Sequence, residues 1–266
     1  MQRKVIVITG ASAGIGAALA RRLGADGHAL VLAARRAPEL AAVARDAAAD
    51  AIAVSTDVTK RAEVERLRDR AIESFGHVDV WVNNAGRGIT RPVLELTDED
   101  FDSMMEVNVK SALYGMQAIV PHFMQRGEGH LINVSSFLGR VPVATHRSAY
   151  NAAKAALNAL TANLRVDLHK THPNVAVSLV MPGMVKTEFA EKALWSRGGG
   201  SIPWTSSSAP PTQAAAVQTP EQVADVIADL IAHPVAEVYT NPWSRDMAVR
   251  YVQDVGAFEA QQATQS

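Results

Sequence analysis

"KVIVITGASAGIG", residues 4–16, decides the fold class. Every residue from Val5 to Thr9 is β-branched and suits a strand. The run then breaks at Gly10, and Gly14 and Gly16 follow where a helix should open. Glycines there let the turn bend tightly and bring backbone N–H groups close to an anion, and the amino end of the helix adds a dipole favourable to a pyrophosphate. Alone, such a turn is also just a tight strand-to-helix connection. It gains meaning only if the same alternation runs along the chain.

It does. Apolar runs at 4–9, 29–34, 51–56, 78–83, 130–135, 175–180 and 236–240 read as strands. They are continuous in apolar character, as expected of strands covered on both faces. Helical patterns lie between them at 14–26, 38–49, 60–75, 98–126, 149–170 and 220–232. This alternation predicts a Rossmann-type, doubly wound α/β fold: a parallel seven-stranded sheet with helices on both faces. Ligands of such sheets bind beyond the carboxyl ends of the strands. The whole chain, 1–266, reads as one domain. A loop at 185–219, rich in glycine, serine and proline, carries Trp195 and Trp204 and suits a lid over an apolar substrate. The extension at 243–266 is expected to form one amphipathic helix around 245–257 and to end in a frayed "AQQATQS".

Composition excludes several classes. The net charge is −1, without the basic face of a nucleic-acid-binding protein. No cysteine is present, so neither a disulfide framework nor a thiolate metal site is expected, and no metal is assigned. No apolar run nears the roughly 18 residues a membrane span needs. The opening "MQRKVIVITG" imitates a signal peptide, but its apolar run stops at Ile8 and meets glycine, so a buried first strand and a cytoplasmic location are expected.

An NAD site wants an acidic residue at the end of the second strand, about 20 residues past the glycines. Ala34 stands there, followed by Arg35 and Arg36. Two cations before a helix oppose its dipole unless an anion lies between them, and a ribose 2′-phosphate is such an anion. NADP(H) is therefore favoured. NAD(H), held through Glu39, is the competing reading.

At "SAYNAAKAAL", 148–157, Tyr150 and Lys154 share one helix face. With "TGASAGIG" (9–16), "DV" (57–58), "NNAG" (83–86), "EVNVKSALYG" (106–115), "INVSS" (132–136), "YNAAK" (150–154) and "PGMVKT" (182–187), the chain resembles the short-chain dehydrogenase/reductase family over roughly residues 4–240. The resemblance implies Tyr150 as general acid/base, Lys154 as its cationic partner and ribose contact, Ser136 (with Ser135 as competitor) orienting the substrate oxygen, and Asn108 in a distorted helix holding a proton-relaying water. It also implies coenzyme contacts at Thr9, Gly10, Ser12, Gly14, Ile15, Gly16, Asp57, Val58, Asn84, Ala85, Gly86, Pro182, Gly183, Val185 and Thr187.

Holding a phenol ionised near neutrality needs about three pKa units, ~4 kcal/mol. A lysine charge at about 6 Å supplies ~3 kcal/mol at an effective dielectric of 20, so the positive ring of an oxidised coenzyme would have to close the gap. His146 and Arg147, between serine and tyrosine, either touch substrate or face water. His169 and His172 read as a solvated helix end, and the sequon "NVS" at 133–135 as chance. The expected activity is interconversion of a small carbonyl compound, bulky or apolar, and its alcohol. The expected assembly is a homodimer or homotetramer through the long helices, with Trp243, Tyr251 and Phe258 adding contact. A non-catalytic NADP(H)-binding sensor or scaffold is the alternative from another class.

Overall fold

The computed structural model describes residues 2–47, 50–187 and 217–265. The strands are β1 (Val5–Thr9), β2 (Ala29–Ala34), β3 (Ala51–Ser55), β4 (Val80–Asn83), β5 (Gly129–Val134), β6 (Val175–Met181), β7 (Met184–Val185), β8 (Val217–Gln218) and β9 (Glu237–Tyr239). The helices are α1 (Gly14–Ala25), α2 (Ala37–Ala47), α3 (Arg61–Phe75), α4 (Asp98–Met105), α5 (Ser111–Arg126), α6 (Ser148–Thr171), α7 (Pro220–Ala232), α8 (Pro242–Gln253) and α9 (Val255–Gln265).

Seven strands form one sheet in the order β3-β2-β1-β4-β5-β6-β9, every pairing parallel. The predicted seven-stranded doubly wound sheet is therefore the observed one. Val5 pairs with Ala29 on one side of β1, and Ile6 with Val80 on the other. The strand order reverses between β1 and β4, so the crevice beyond their carboxyl ends is the switch point where this architecture binds ligands. One core layer packs α1, α2 and α7 on the sheet, and the other packs α3, α5 and α6. No helix among the described residues is long and apolar enough to cross a membrane.

Two expectations about elements need correction. The stretch 98–126 is not one continuous helix: α4 and α5 are joined by a π turn, Glu106–Lys110. The tail is not one helix with a frayed end. Asn241 caps α8, with Pro242 in its first turn, and the Asp254 carboxylate then accepts from the Ala257 amide to start α9. Phe258, buried in α9, holds that second helix down. Phe258 is buried in one cluster with Phe137 and Val141, and Trp243 and Tyr251 are partly buried against it. The sequon asparagine, Asn133, is fully buried and donates to Thr161 at 3.0 Å, so it is closed to glycosylation.

Candidate active site

The glycine turn is clamped to the neighbouring strand end. Thr9 Oγ1 accepts from the amides of Asn84 (3.0 Å) and Ala85 (3.1 Å), and the Asn84 side chain donates to the Thr9 carbonyl at 2.9 Å. Gly10 has φ +70°, and a Cβ there would stand 2.8 Å from Ala85 Cα. Only glycine tolerates both the left-handed backbone and that approach. Asn84 and Ala85 thus buttress the turn itself.

Ala13 caps α1 with no side-chain hydrogen bond, and the first turn of α1 has no acidic residue. Its leading amides at Gly14, Ile15 and Gly16 meet the chemistry of a phosphate group. Ile15 and Val185 are both partly buried against one core layer, and Thr187 Cγ2 lies 3.3 Å from where a Gly14 Cβ would be. The 182–187 segment therefore closes down on the glycine turn.

Arg35 and Arg36 follow β2. The Arg36 Nε donates to Ser12 Oγ at 3.3 Å, and its guanidinium lies 3.5 Å from Glu39. Glu39 is thus already engaged by a cation. Pro38 is the second residue of α2, one place later than the sequence pattern implies. Burial pushes the Asp57 carboxyl up, but hydrogen bonds from the Thr59 hydroxyl and amide, with the charges of Arg35 and Lys60, hold it below its usual range. Val58 is partly buried against the core. The donor set at this end fits a dinucleotide: uncapped amides, a serine hydroxyl and two guanidiniums.

At the other end, the two serines part company. Ser135 Oγ turns into α6, donating to Asn158 Oδ1 at 2.5 Å and lying 3.3 Å from the Lys154 carbonyl. Ser136 caps the short 3₁₀ turn Phe137–Gly139 and is hydrogen-bonded to Tyr150. Tyr150 and Lys154 are both buried, and the Lys154 ammonium sits 5.8 Å from the centre of the tyrosine ring. Lys154 Nζ donates to the Val134 carbonyl at 2.9 Å.

Asn108 lies in the π turn. Its side-chain Nδ2 donates to the carbonyls of Met104 (3.1 Å) and Arg87 (2.9 Å), and its Oδ1 accepts from the Arg87 amide. By taking the Met104 carbonyl that its own N–H would use in an α-helix, the side chain widens the helix by one residue. A Cβ on Gly86 would stand 3.0 Å from Asn108 Oδ1 and 3.7 Å from Lys154 Nζ, so these residues converge.

Burial dominates the electrostatics of the Tyr150 and Lys154 pair. Burial pulls the Lys154 ammonium down to about 8. Burial raises the Tyr150 phenol above its ordinary value, against the Ser136 hydrogen bond and the charge of Arg147. Arg147 is the cation that acts on the phenol here, a role that no spacing rule reveals.

Sequence reasoning also missed a buried polar knot. Gln218 in β8 donates to the Thr240 carbonyl at 2.9 Å and accepts from Asn241 at 3.2 Å. A Gly183 Cβ would lie 2.7 Å from Ser244 Oγ. The only hint in sequence was Asn241-Pro242, a helix-start signature. Residues 188–216, with Trp195 and Trp204, lie outside the described residues.

A model of the short chain dehydrogenase family matches residues 4–197. The chain belongs to the short-chain dehydrogenase family. An uncharacterized oxidoreductase of Staphylococcus epidermidis is 37% identical to this short-chain dehydrogenase over 191 residues, covering 72% of this chain and 82% of that one. A short-chain dehydrogenase/reductase from Burkholderia phymatum, solved in complex with NAD, superposes with a TM-score of 0.82 at 29% identity, over 96% of this chain and 95% of that one. An alcohol dehydrogenase from the archaeon Thermococcus sibiricus, complexed with 5-hydroxy-NADP, gives 0.75 at 29% identity, over 90% and 96% of the two chains. Solved relatives of this short-chain dehydrogenase thus carry either coenzyme.

Proposed function

We propose that this protein is an NADP(H)-dependent oxidoreductase that interconverts a carbonyl compound and its alcohol, with Tyr150 as general acid/base. The observation that carries the reading is the convergence of Ser136, Tyr150, Lys154 and Asn108, from β5's end, α6 and the π turn, at the carboxyl edge of the sheet.

A bound nicotinamide dinucleotide supplies or accepts the hydride. Gly10, Gly14, Gly16 and Ser12 would hold its phosphates, and Arg35 with Arg36 its 2′-phosphate. Asp57 and Val58 would border the adenine, and Asn84, Ala85 and Gly86 the adenosine ribose. Pro182, Gly183, Val185 and Thr187 would border the nicotinamide. In the reduction direction Tyr150 donates its proton to the substrate oxygen, which Ser136 holds by a hydrogen bond as negative charge develops. Lys154 would hold the nicotinamide ribose and, when protonated, would favour the phenolate that Tyr150 leaves behind. Asn108 fixes the backbone at Arg87 beside this path.

The exposed apolar residues Met124 on α5 and Val166 on α6 support assembly into a homodimer or homotetramer through those helices. The test is coenzyme consumption against a varied carbonyl panel, with NADPH and NADH in parallel, for wild type, Tyr150→Phe and the Arg35→Ser/Arg36→Ser pair. Turnover that prefers NADPH, depends on Tyr150 and loses its coenzyme preference without the arginines is expected. Equal efficiency with both coenzymes in the wild type would return the choice to NAD(H), and turnover by Tyr150→Phe would refute the tyrosine role.

A further inference from the structure

We propose that Arg147 is the receptor for a carboxylate on the substrate, so that the compound reacting beside Tyr150 is a keto acid or hydroxy acid. The proposal rests on the oxidoreductase reading above and narrows it to a substrate class.

Arg147 stands at the entry of α6 as its N-cap residue, half-buried. Among the described residues its guanidinium has no hydrogen bond and no ion pair. Among the described residues, Tyr150 is the charged or ionisable group that acts on it, and no carboxylate of those residues pairs with it. Its neighbour Arg91, bridged to the same backbone position, is provided for: it holds Asp100 at 2.9 Å. Among the described residues, one arginine of this pair has an acid and the other has none.

Nothing among the described residues of its own helix entry offsets that cation. Arg147 sits at the positive end of a 24-residue helix whose first turn has no acidic residue. The helix dipole opposes a cation there, and a partly desolvated guanidinium without a partner is unfavourable. An incoming anion satisfies both.

The place is suited to a substrate. Arg147 stands at the entry of α6, three residues ahead of Tyr150, and its charge acts on the Tyr150 phenol. The Tyr150 phenol is in turn bonded to Ser136. A carbonyl oxygen resting on Ser136 and Tyr150 leaves the rest of a short substrate within reach of the guanidinium. A guanidinium binds a carboxylate through two parallel hydrogen bonds. One unengaged cation, with Arg91 occupied, matches one negative charge.

The experiment compares keto acids whose carboxylate stands alpha, beta or gamma to the ketone, each against its methyl ester. Wild type, Arg147→Gln and Arg147→Lys are assayed, and thermal melts verify that the variants fold. At least one acid should exceed its ester by about tenfold or more in kcat/KM, chiefly through KM. Arg147→Gln should lower kcat/KM for that acid at least about tenfold more than for the ester, and Arg147→Lys should keep part of the preference.

Equal use of acid and ester by the wild type overturns the proposal while leaving the oxidoreductase reading intact. So does an equal loss on both in Arg147→Gln with an alkaline shift of the pH profile, which would assign Arg147 to tuning Tyr150. If the wild type turns over no carbonyl at all, the oxidoreductase reading fails. Calorimetry of the same keto acids with coenzyme-loaded protein then decides separately: binding lost in Arg147→Gln supports the anion site, and no binding removes it.

Discussion

The two ends of the crevice are built on opposite principles. At the glycine turn the determinants are local: Thr9, Gly10 and the Asn84-Ala85 pair lie at two adjacent strand ends and lock by short hydrogen bonds between side chain and main chain. Its charged members, Arg35 and Arg36, are exposed or half-exposed. At the tyrosine end the determinants are buried side chains brought from Asn108, Ser136, Tyr150 and Lys154. The first end recognises by shape and by charge in water, which added salt weakens. The second acts by removing water, so its titrations are displaced from their ordinary values.

Tyr150→Phe strikes the second end alone and should have the largest effect. Turnover should fall by about 10²–10⁴-fold while coenzyme affinity, measured by fluorescence, stays close to that of the wild type. A comparable loss of affinity would dissolve the division between the ends.

Lys154 sharpens the contrast through pH. Its folded value, about 8, lies below the ordinary lysine value of 10.5, so the folded state releases this proton before the unfolded state does. The coenzyme-free protein should therefore gain stability as pH rises from about 8 toward 10, by up to ~3 kcal/mol. Tyr150 is raised by burial, so it opposes the gain above about pH 10, where the unfolded chain ionises first. Lys154→Met should flatten the rise and increase Tm at neutral pH; an unchanged slope would mean that the ammonium is not desolvated.

Gly10→Ala strikes the first end alone. A left-handed alanine costs about 1–2 kcal/mol, and its Cβ must also displace Ala85. Coenzyme affinity should fall about thirtyfold or more, corresponding to ~2 kcal/mol, with Tyr150 and Ser136 undisturbed.

The smallest effect is expected at Phe258→Ala, which removes the anchor of α9. Because α8 and α9 pack on Phe137 and Val141, hydrogen exchange should quicken at 137–143, and the substrate KM should rise a few-fold without change in coenzyme affinity.

What was legible in the sequence follows the same division. The glycine turn, the alternation of strands and helices and the arginines after β2 can each be read within a few residues of their place in the fold. Ser136 and Asn108 were legible only through the family resemblance. The asparagine's hold on the Met104 carbonyl gives a physical reason for the helix distortion, but a single sequence does not announce it. That no carboxylate among the described residues pairs with Arg147 was not legible, because it is a property of several surrounding elements together. Spacing placed the Lys154 ammonium near the ring, but spacing says nothing of its desolvation, which burial supplies. The paired tail helices escaped because their weak apolar pattern needs Phe258's distant partners to make sense.

The packing of α8 and α9 on the segment after Ser136 has a practical side. An affinity tag or fusion partner joined after residue 266 would tug on the same wall that steadies the serine. One joined ahead of β1 enters at the amino edge of the sheet, a full strand length from Gly10. Recombinant material tagged at the front is the safer choice for every measurement of turnover, and a discrepancy between front- and back-tagged preparations would itself report on how firmly that wall is seated.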